Sequence, residues 1–210
     1  MAISDMSEGT RVRMSGRERR EQLLDIGKTL FAEKGFDAAS IEEIAKRADV
    51  SKPVVYEHFG GKEGLYAVVV DREIERLLRS ITDSLQATEP RMLLEQAAIA
   101  LLTYIEDDQD GFKILTRDSP VASSSGTFAS LIGDIASQVE HILVKEFRIR
   151  DYDTKLAPLY SHALVGMVAL TGQWWLEAGK PSRNKVAAHL VNLAWNGLAR
   201  LETKPRISGA

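Results

Sequence analysis

Between Ser40 and Lys62 the chain places Lys52, Tyr56, His58 and Lys62, four donors or cations within and just after one short predicted helix. Donors gathered near a helix N-terminus suit a phosphate, because the free N–H groups of the first turn already face an anion there. The plain alternative is an ordinary pair of helices with a polar surface. Chemistry of other kinds finds no footing. His58, His141, His162 and His189 fall in separate predicted helices, with no pair at i, i+4 spacing. There is no glycine-rich phosphate loop, no nucleophile elbow and no metal-type histidine spacing. The chain has no cysteine, which excludes disulfides and thiolate metal sites and suits a reducing compartment. We therefore expect no enzyme, no cofactor and no bound metal.

The elements that must position these donors can be read around them. Ser40 is a helix N-cap, with Glu43 placed to close a capping box. Ile41, Ile44, Ala45 and Ala48 follow at helical spacing. Asp49 marks the turn, since aspartate tolerates the left-handed conformation better than most residues. Ser51 caps a second helix, Pro53 fits its first turn, Val55 and Phe59 face inward, and Gly60 ends it. Two short capped helices at this spacing describe a helix-turn-helix.

Composition sets the frame. A length of 210 residues fits one large or two small domains, and a hydrophobic fraction of 44% is enough for a buried core. The net charge is −3, yet in residues 11–20 Arg11, Arg13, Arg17, Arg19 and Arg20 stand against Glu18 alone. A basic tip on an acidic body can meet DNA while the body is repelled; alone, it also fits a solvated tail. No apolar run reaches membrane-spanning length and the first residues lack a signal-peptide core, so the expected place is the cytoplasm, without a membrane partner.

Along the chain, residues 1–14 read as a mobile arm, residues 15–62 as a three-helix head, and residues 63–204 as a helical body. Ser15 and Glu18 form a first capping box, and Gly35 is expected to stop that helix in a Schellman-type end with Phe36 packed on Phe31. Further helices are expected from Lys62 to about Leu85, from Pro90 to about Asp107, around Phe112–Arg117 and from Phe128 to about Phe147. Residues 119–127 read as loop. Lys155–Glu177 and the last helix, capped by Ser182, each carry two apolar rows where a surface helix needs one. One face for the core and one for a second copy of the chain would explain this; both helices being central in a monomer is the rival. No strand pattern appears, so the fold class is all-α.

The segment LFAEKGFDAASIEEIAKRADVSKPVVYEHFGGKEGLYAVV resembles the N-terminal signature of the tetracycline-repressor (TetR) family of transcription regulators. Matching positions include Phe31, Gly35, Phe36, Ser40, Ile44, Ala45, Val50, Ser51, Tyr56, His58, Phe59, Lys62 and Leu65. The match covers roughly residues 17–70; beyond it only length and helical content agree. Ser40 stands for the commoner threonine and Asp49 for the commoner glycine. The resemblance implies a double-stranded operator DNA partner. Ser40, Ser51, Lys52, Tyr56, His58 and Lys62 would meet it mainly at the phosphates, while Pro53 and Val54 would meet thymine methyl groups. It also implies a homodimer paired through the last two helices; we expect Gly166 and Ala169 on the interface side, where small residues let helices approach closely.

In the body we expect a site for a small, largely apolar effector, lined by Tyr104, Phe112, Phe128, Tyr160, His162, Met167, Gln173 and Trp174. The same aromatics at helical spacing could be plain core. These helices carry no arginine or lysine in their interior stretches, which disfavours a strongly anionic guest. The function so expected is a ligand-responsive DNA-binding regulator, a repressor released by its effector. A ligand-dependent activator is an alternative, and so is a helical sensor or enzyme that no longer binds DNA.

Overall fold

Ser15 starts the first helix as its spacing from Glu18 predicts. Its hydroxyl accepts the Glu18 N–H at 3.2 Å, while the Glu18 carboxylate accepts the Ser15 N–H at 2.7 Å. Helix α1 (Gly16–Ala38) then leads to α2 (Ile41–Arg47), α3 (Lys52–Phe59) and the long α4 (Lys62–Ser84). The computed structural model describes residues 14–117, 128–203 and 205–207. The predicted arm, apart from Met14, and the predicted loop at 119–127 lie outside them.

The head closes around side chains without exposure: Leu23, Leu30, Ile44, Val55 and, from α4, Leu65. Burying each contributes about 1.5–3 kcal/mol. Phe31 stacks on Phe36 with centroids 6.2 Å apart, and both rings meet Tyr66 edge-on at 5.0 Å. Gly35 breaks the helix geometry at φ 80°, but α1 resumes and runs to Ala38. The expected stop is a kink, and Phe36 packs back on Phe31 as anticipated.

The body consists of α5 (Pro90–Asp107), α6 (Gln109–Thr116), α7 (Phe128–Ile149), a short 3-10 turn (Thr154–Leu156), α8 (Ala157–Ala178) and α9 (Arg183–Ala199). Among the described residues there is no strand. Helix α7 pairs with α8, α5 lies between α4 and α9, and α6 is held against α1 and α4. Gly179, at φ 63°, ends α8. Helix α6 starts before Phe112 because Asp108 caps it, accepting the Gly111 N–H at 2.9 Å. One apolar core runs from the head into the body, so α1 and α4 belong mechanically to both. No described helix is long and apolar enough to cross a membrane.

Candidate nucleic-acid interface and effector cavity

The helix-turn-helix is held by backbone bonds and by α1 behind it. Ser40 caps α2 by accepting the Glu43 N–H at 3.2 Å. The capping box is not completed: the Glu43 carboxylate takes Lys34 at 2.7 Å and Arg47 at 3.0 Å instead. Asp49 adopts φ 53°, and the Val50 N–H returns to the Ala45 carbonyl at 3.0 Å, closing the turn. Arg19 donates to the Ala48 carbonyl at 3.3 Å. Arg20 donates to the His58 carbonyl at 3.1 Å, with its guanidinium 4.5 Å from the Phe59 ring centre. A cation at the C-terminal end of α3 also complements the helix dipole. The sequence reading treated both arginines only as positive charge; their distance along the chain from α2 and α3 hid the clamp.

This arrangement turns Val55 inward and leaves Ser51, Lys52, Pro53 and Tyr56 exposed, with Val54 and His58 half-buried. Ser51 stands at the N-cap of α3 without a side-chain capping bond. The two lysines already have partners. Lys52 forms an ion pair with Glu42, whose carboxyl is held below its usual range by the Lys52 hydrogen bond. Lys62 donates to the carbonyls of Phe36, Asp37 and Ala39 at 3.0, 3.3 and 3.2 Å, with its ammonium 4.3 Å from the Phe36 ring centre. Lys62 thus ties the end of α1 to the start of α4, whatever else it meets. We expect Glu42→Gln to free Lys52, tighten binding to arbitrary DNA and steepen the salt dependence by about one counterion. Titrations of both proteins over a salt series check this; equal slopes refute it.

In the body, a partly open cavity of about 150 Å³ is lined by α4 through α9. Its wall is aliphatic, with Leu77, Ile81, Leu101, Leu131, Ile135 and Val168 among its members, and Phe112 and Trp195 as its aromatic rings. Thr82, Gln138 and Glu146 are the polar side chains lining it, and no described lysine or arginine does.

Of the eight residues expected at an effector site, Phe112 lines this cavity. The Phe128 side chain lies outside the described set. Tyr104 is buried beside the wall, donating its hydroxyl to Glu73 at 2.8 Å. Tyr160 packs on Phe147 in a second cluster, with centroids 5.4 Å apart. Met167 packs half-buried on the core without lining the cavity, and Gln173 is half-buried away from it. His162 and Trp174 face outward, His162 bonding the Pro158 carbonyl at 2.8 Å and Trp174 being 55% exposed. The reason is geometric: α8 is apolar on nearly every side, so its rows alone do not name an inner face. Ala169, expected at the interface, is buried on the cavity wall. The outer face of α8 and α9 instead carries Leu159, Leu170, Trp174 and Leu193, with open space above Gly166.

A charged cluster joins head to body. Lys28 of α1 reaches Asp108 at 2.8 Å and Glu73 of α4 at 3.4 Å, and Arg76 of α4 also pairs with Asp108. Burial, the largest influence on Asp108, raises its pKa, but Lys28, the Gly111 N–H and Arg76 together hold it below the usual value. Burial likewise lowers Lys28, and Asp108 and Glu73 outweigh it, so its pKa is raised. Burial and Glu73 push the Tyr104 hydroxyl up, keeping it a donor. The Asp108 contribution to stability is therefore present above its unfolded pKa and lost as pH falls through the depressed one. That of Lys28 is present below its unfolded pKa and lost as pH rises through the raised one. Both directions keep Asp108 and Lys28 charged throughout the neutral range. Among the described residues no cluster fit for a metal occurs.

Comparison with known proteins bears on both halves. The family model for bacterial regulatory proteins of the tetR family matches residues 23–69, and that for a tetracyclin repressor-like C-terminal domain matches residues 91–210. The chain is 30% identical to the HTH-type transcriptional activator FasR of Mycolicibacterium smegmatis, covering 88% of this chain and 84% of that one. It is 35% identical to the HTH-type transcriptional repressor BdcR of Escherichia coli over 37% of this chain and 41% of the other. A TetR-like transcriptional regulator from Rhodococcus sp. RHA1 superposes with a TM-score of 0.75 at 26% identity, covering 89% of this chain and 99% of its own. The chain belongs to the TetR family of bacterial transcription regulators, whose members bind operator DNA and dimerise.

Proposed function

We propose that the chain is a homodimeric regulator whose grip on operator DNA is set by a small aliphatic guest in the body. The observation that carries this is the cavity: its wall is apolar, and it includes α4, which begins in the DNA-reading head. On this reading Lys52, Tyr56, His58 and Ser51 meet phosphates, and Pro53 and Val54 meet base edges in the major groove. With few side chains able to hydrogen-bond bases, part of the specificity comes from DNA shape. The regulator acts where the DNA is, in the cytoplasm, and is no enzyme. Because no described lysine or arginine lines the cavity, an anionic group of the guest stays outside it.

The sign proposed is release: the guest fits the wall better in the form whose heads are off register, and operator DNA then weakens guest binding by the same factor. The opposite sign has its own support, since FasR, a relative covering 88% of this chain, is an activator, while the repressor BdcR covers 37% of it.

The test uses dodecanol as probe and the DNA flanking the protein's own gene as operator. We expect the probe to change Trp195 fluorescence, a change lost in Trp195→Phe and kept in Trp174→Phe. We expect it to raise the unfolding free energy by about 2.7 kcal/mol at a hundredfold excess over its Kd. It should also weaken operator binding; strengthening would assign activation. Equal probe affinity with and without saturating operator would show that the two sites are uncoupled.

A further inference from the structure

The charged junction does more than glue two parts together. Lys28 lies within α1 and points away from the DNA-facing side, with its ammonium 2.8 Å from Asp108 and 3.4 Å from Glu73. Asp108 divides its carboxylate: Oδ1 caps α6 through the Gly111 N–H at 2.9 Å, and Oδ2 holds Lys28 and Arg76. Glu73, only 3% exposed, also accepts the Tyr104 hydroxyl of α5. Four helices therefore meet at two carboxylates and two cations.

Helix α6 is pressed onto this cluster. A Cβ at Gly111 would stand 2.7 Å from the Tyr104 hydroxyl oxygen and closer still to the Glu73 carboxylate. The next residue, Phe112, is fully buried and forms part of the cavity wall. A guest that displaces Phe112 moves Gly111 and the capped turn with it, and that turn is tied to α1 and α4 by the ion pairs of Asp108 with Lys28 and Arg76. The Lys28–Asp108 pair is largely desolvated while Arg76 is half exposed; such pairs add little net stability compared with apolar packing, but they are directional and lose their complement when one partner shifts. Their contribution is orientation.

We propose that Lys28 is a positioning residue for operator recognition: through Asp108 and Glu73 it fixes the angle of the DNA-binding head on the body, and it yields that angle when α6 moves. The consequence for DNA rests on the reading of α2 and α3 as the DNA-contacting pair; the fixing of the angle does not.

The chain has no cysteine, so Glu57→Cys and Lys180→Cys give unique sites for spin labels on head and body. The labelled full chain is diluted with unlabelled chain so that distances within one chain are read. We expect one narrow distribution in this background, a broad one after Lys28→Met, and a narrow one again after Lys28→Arg. Asp108→Asn retains an acceptor for the α6 cap but loses the charge; it should broaden the distribution too, and it carries the test if Lys28→Met does not fold. Operator affinity should fall on the order of tenfold with Lys28→Met, with binding to arbitrary DNA unchanged. A folded variant with an unaltered distance distribution overturns the proposal. A broadened distribution in a protein that binds no DNA supports the junction and removes the DNA reading instead.

Discussion

Leu170→Arg is expected to separate the dimer into folded monomers and to weaken operator binding by about 10²–10⁴-fold. Leu170 is 64% exposed on α8, and Leu159, Trp174 and, from α9, Leu193 stand exposed beside it. A monomer rarely leaves so many large apolar side chains on one face. Gly166 lies among them with nothing within 4 Å of a Cβ built there, which leaves room for another helix to approach closely. Two recognition helices enter successive major grooves only when held about 34–36 Å apart, and linking two binding heads multiplies affinity by about 10²–10⁴. A guanidinium in the seam removes that factor without touching either head. Sedimentation at micromolar concentration and operator titration check both halves. A Leu170→Arg protein that still sediments as a dimer would move the interface elsewhere. Ala169→Arg, at the other residue expected on the interface side, would test something else, because Ala169 lies on the cavity wall.

Phe31→Ala should destabilise the protein by about 3–5 kcal/mol, a large part of the 5–15 kcal/mol typical of a folded domain. Phe31 is 1% exposed and stands between Phe36 and Tyr66. Its loss removes two aromatic contacts, each worth about 0.5–1.5 kcal/mol beyond burial, and leaves a void where α1, α4 and the kink at Gly35 meet. Urea unfolding followed by circular dichroism measures this as a lower midpoint. A change below about 1 kcal/mol would show that the head collapses around the gap.

Helices were legible because each is amphipathic or bounded by its own caps. Ser15 with Glu18, Asp49 at the turn, Gly60 and Gly179 all act where their side-chain chemistry places them. The head was legible in more detail than the body because its motif packs residues close together in sequence. The cavity was not, for two reasons. Its wall draws side chains from six helices, and no single helix signals a void that its neighbours share. Trp174, one of the aromatics spaced along α8, faces solvent, while Trp195 on α9 lines the wall. Ion pairs across long separations were equally silent: Lys28 and Asp108 lie 80 residues apart. Lys62 was read as a phosphate donor from its place after α3, while the carbonyls it holds belong to the kinked end of α1, which the sequence reading had stopped at Gly35.

The ion pair between Lys52 and Glu42 also bears on how the protein finds its site. A chromosome offers about 10⁶–10⁹ competing stretches of DNA, and a regulator spends its time among them according to how firmly each one holds it. A lysine that must first leave a carboxylate gains less from any stray phosphate than a free one would. With Lys52 meeting phosphate as proposed, encounters with the wrong sequence are shortened, and the full grip is reserved for places where the neighbouring contacts form as well. Glu42, an acid beside a surface meant for a polyanion, thus gives up some strength of attachment in return for a faster search.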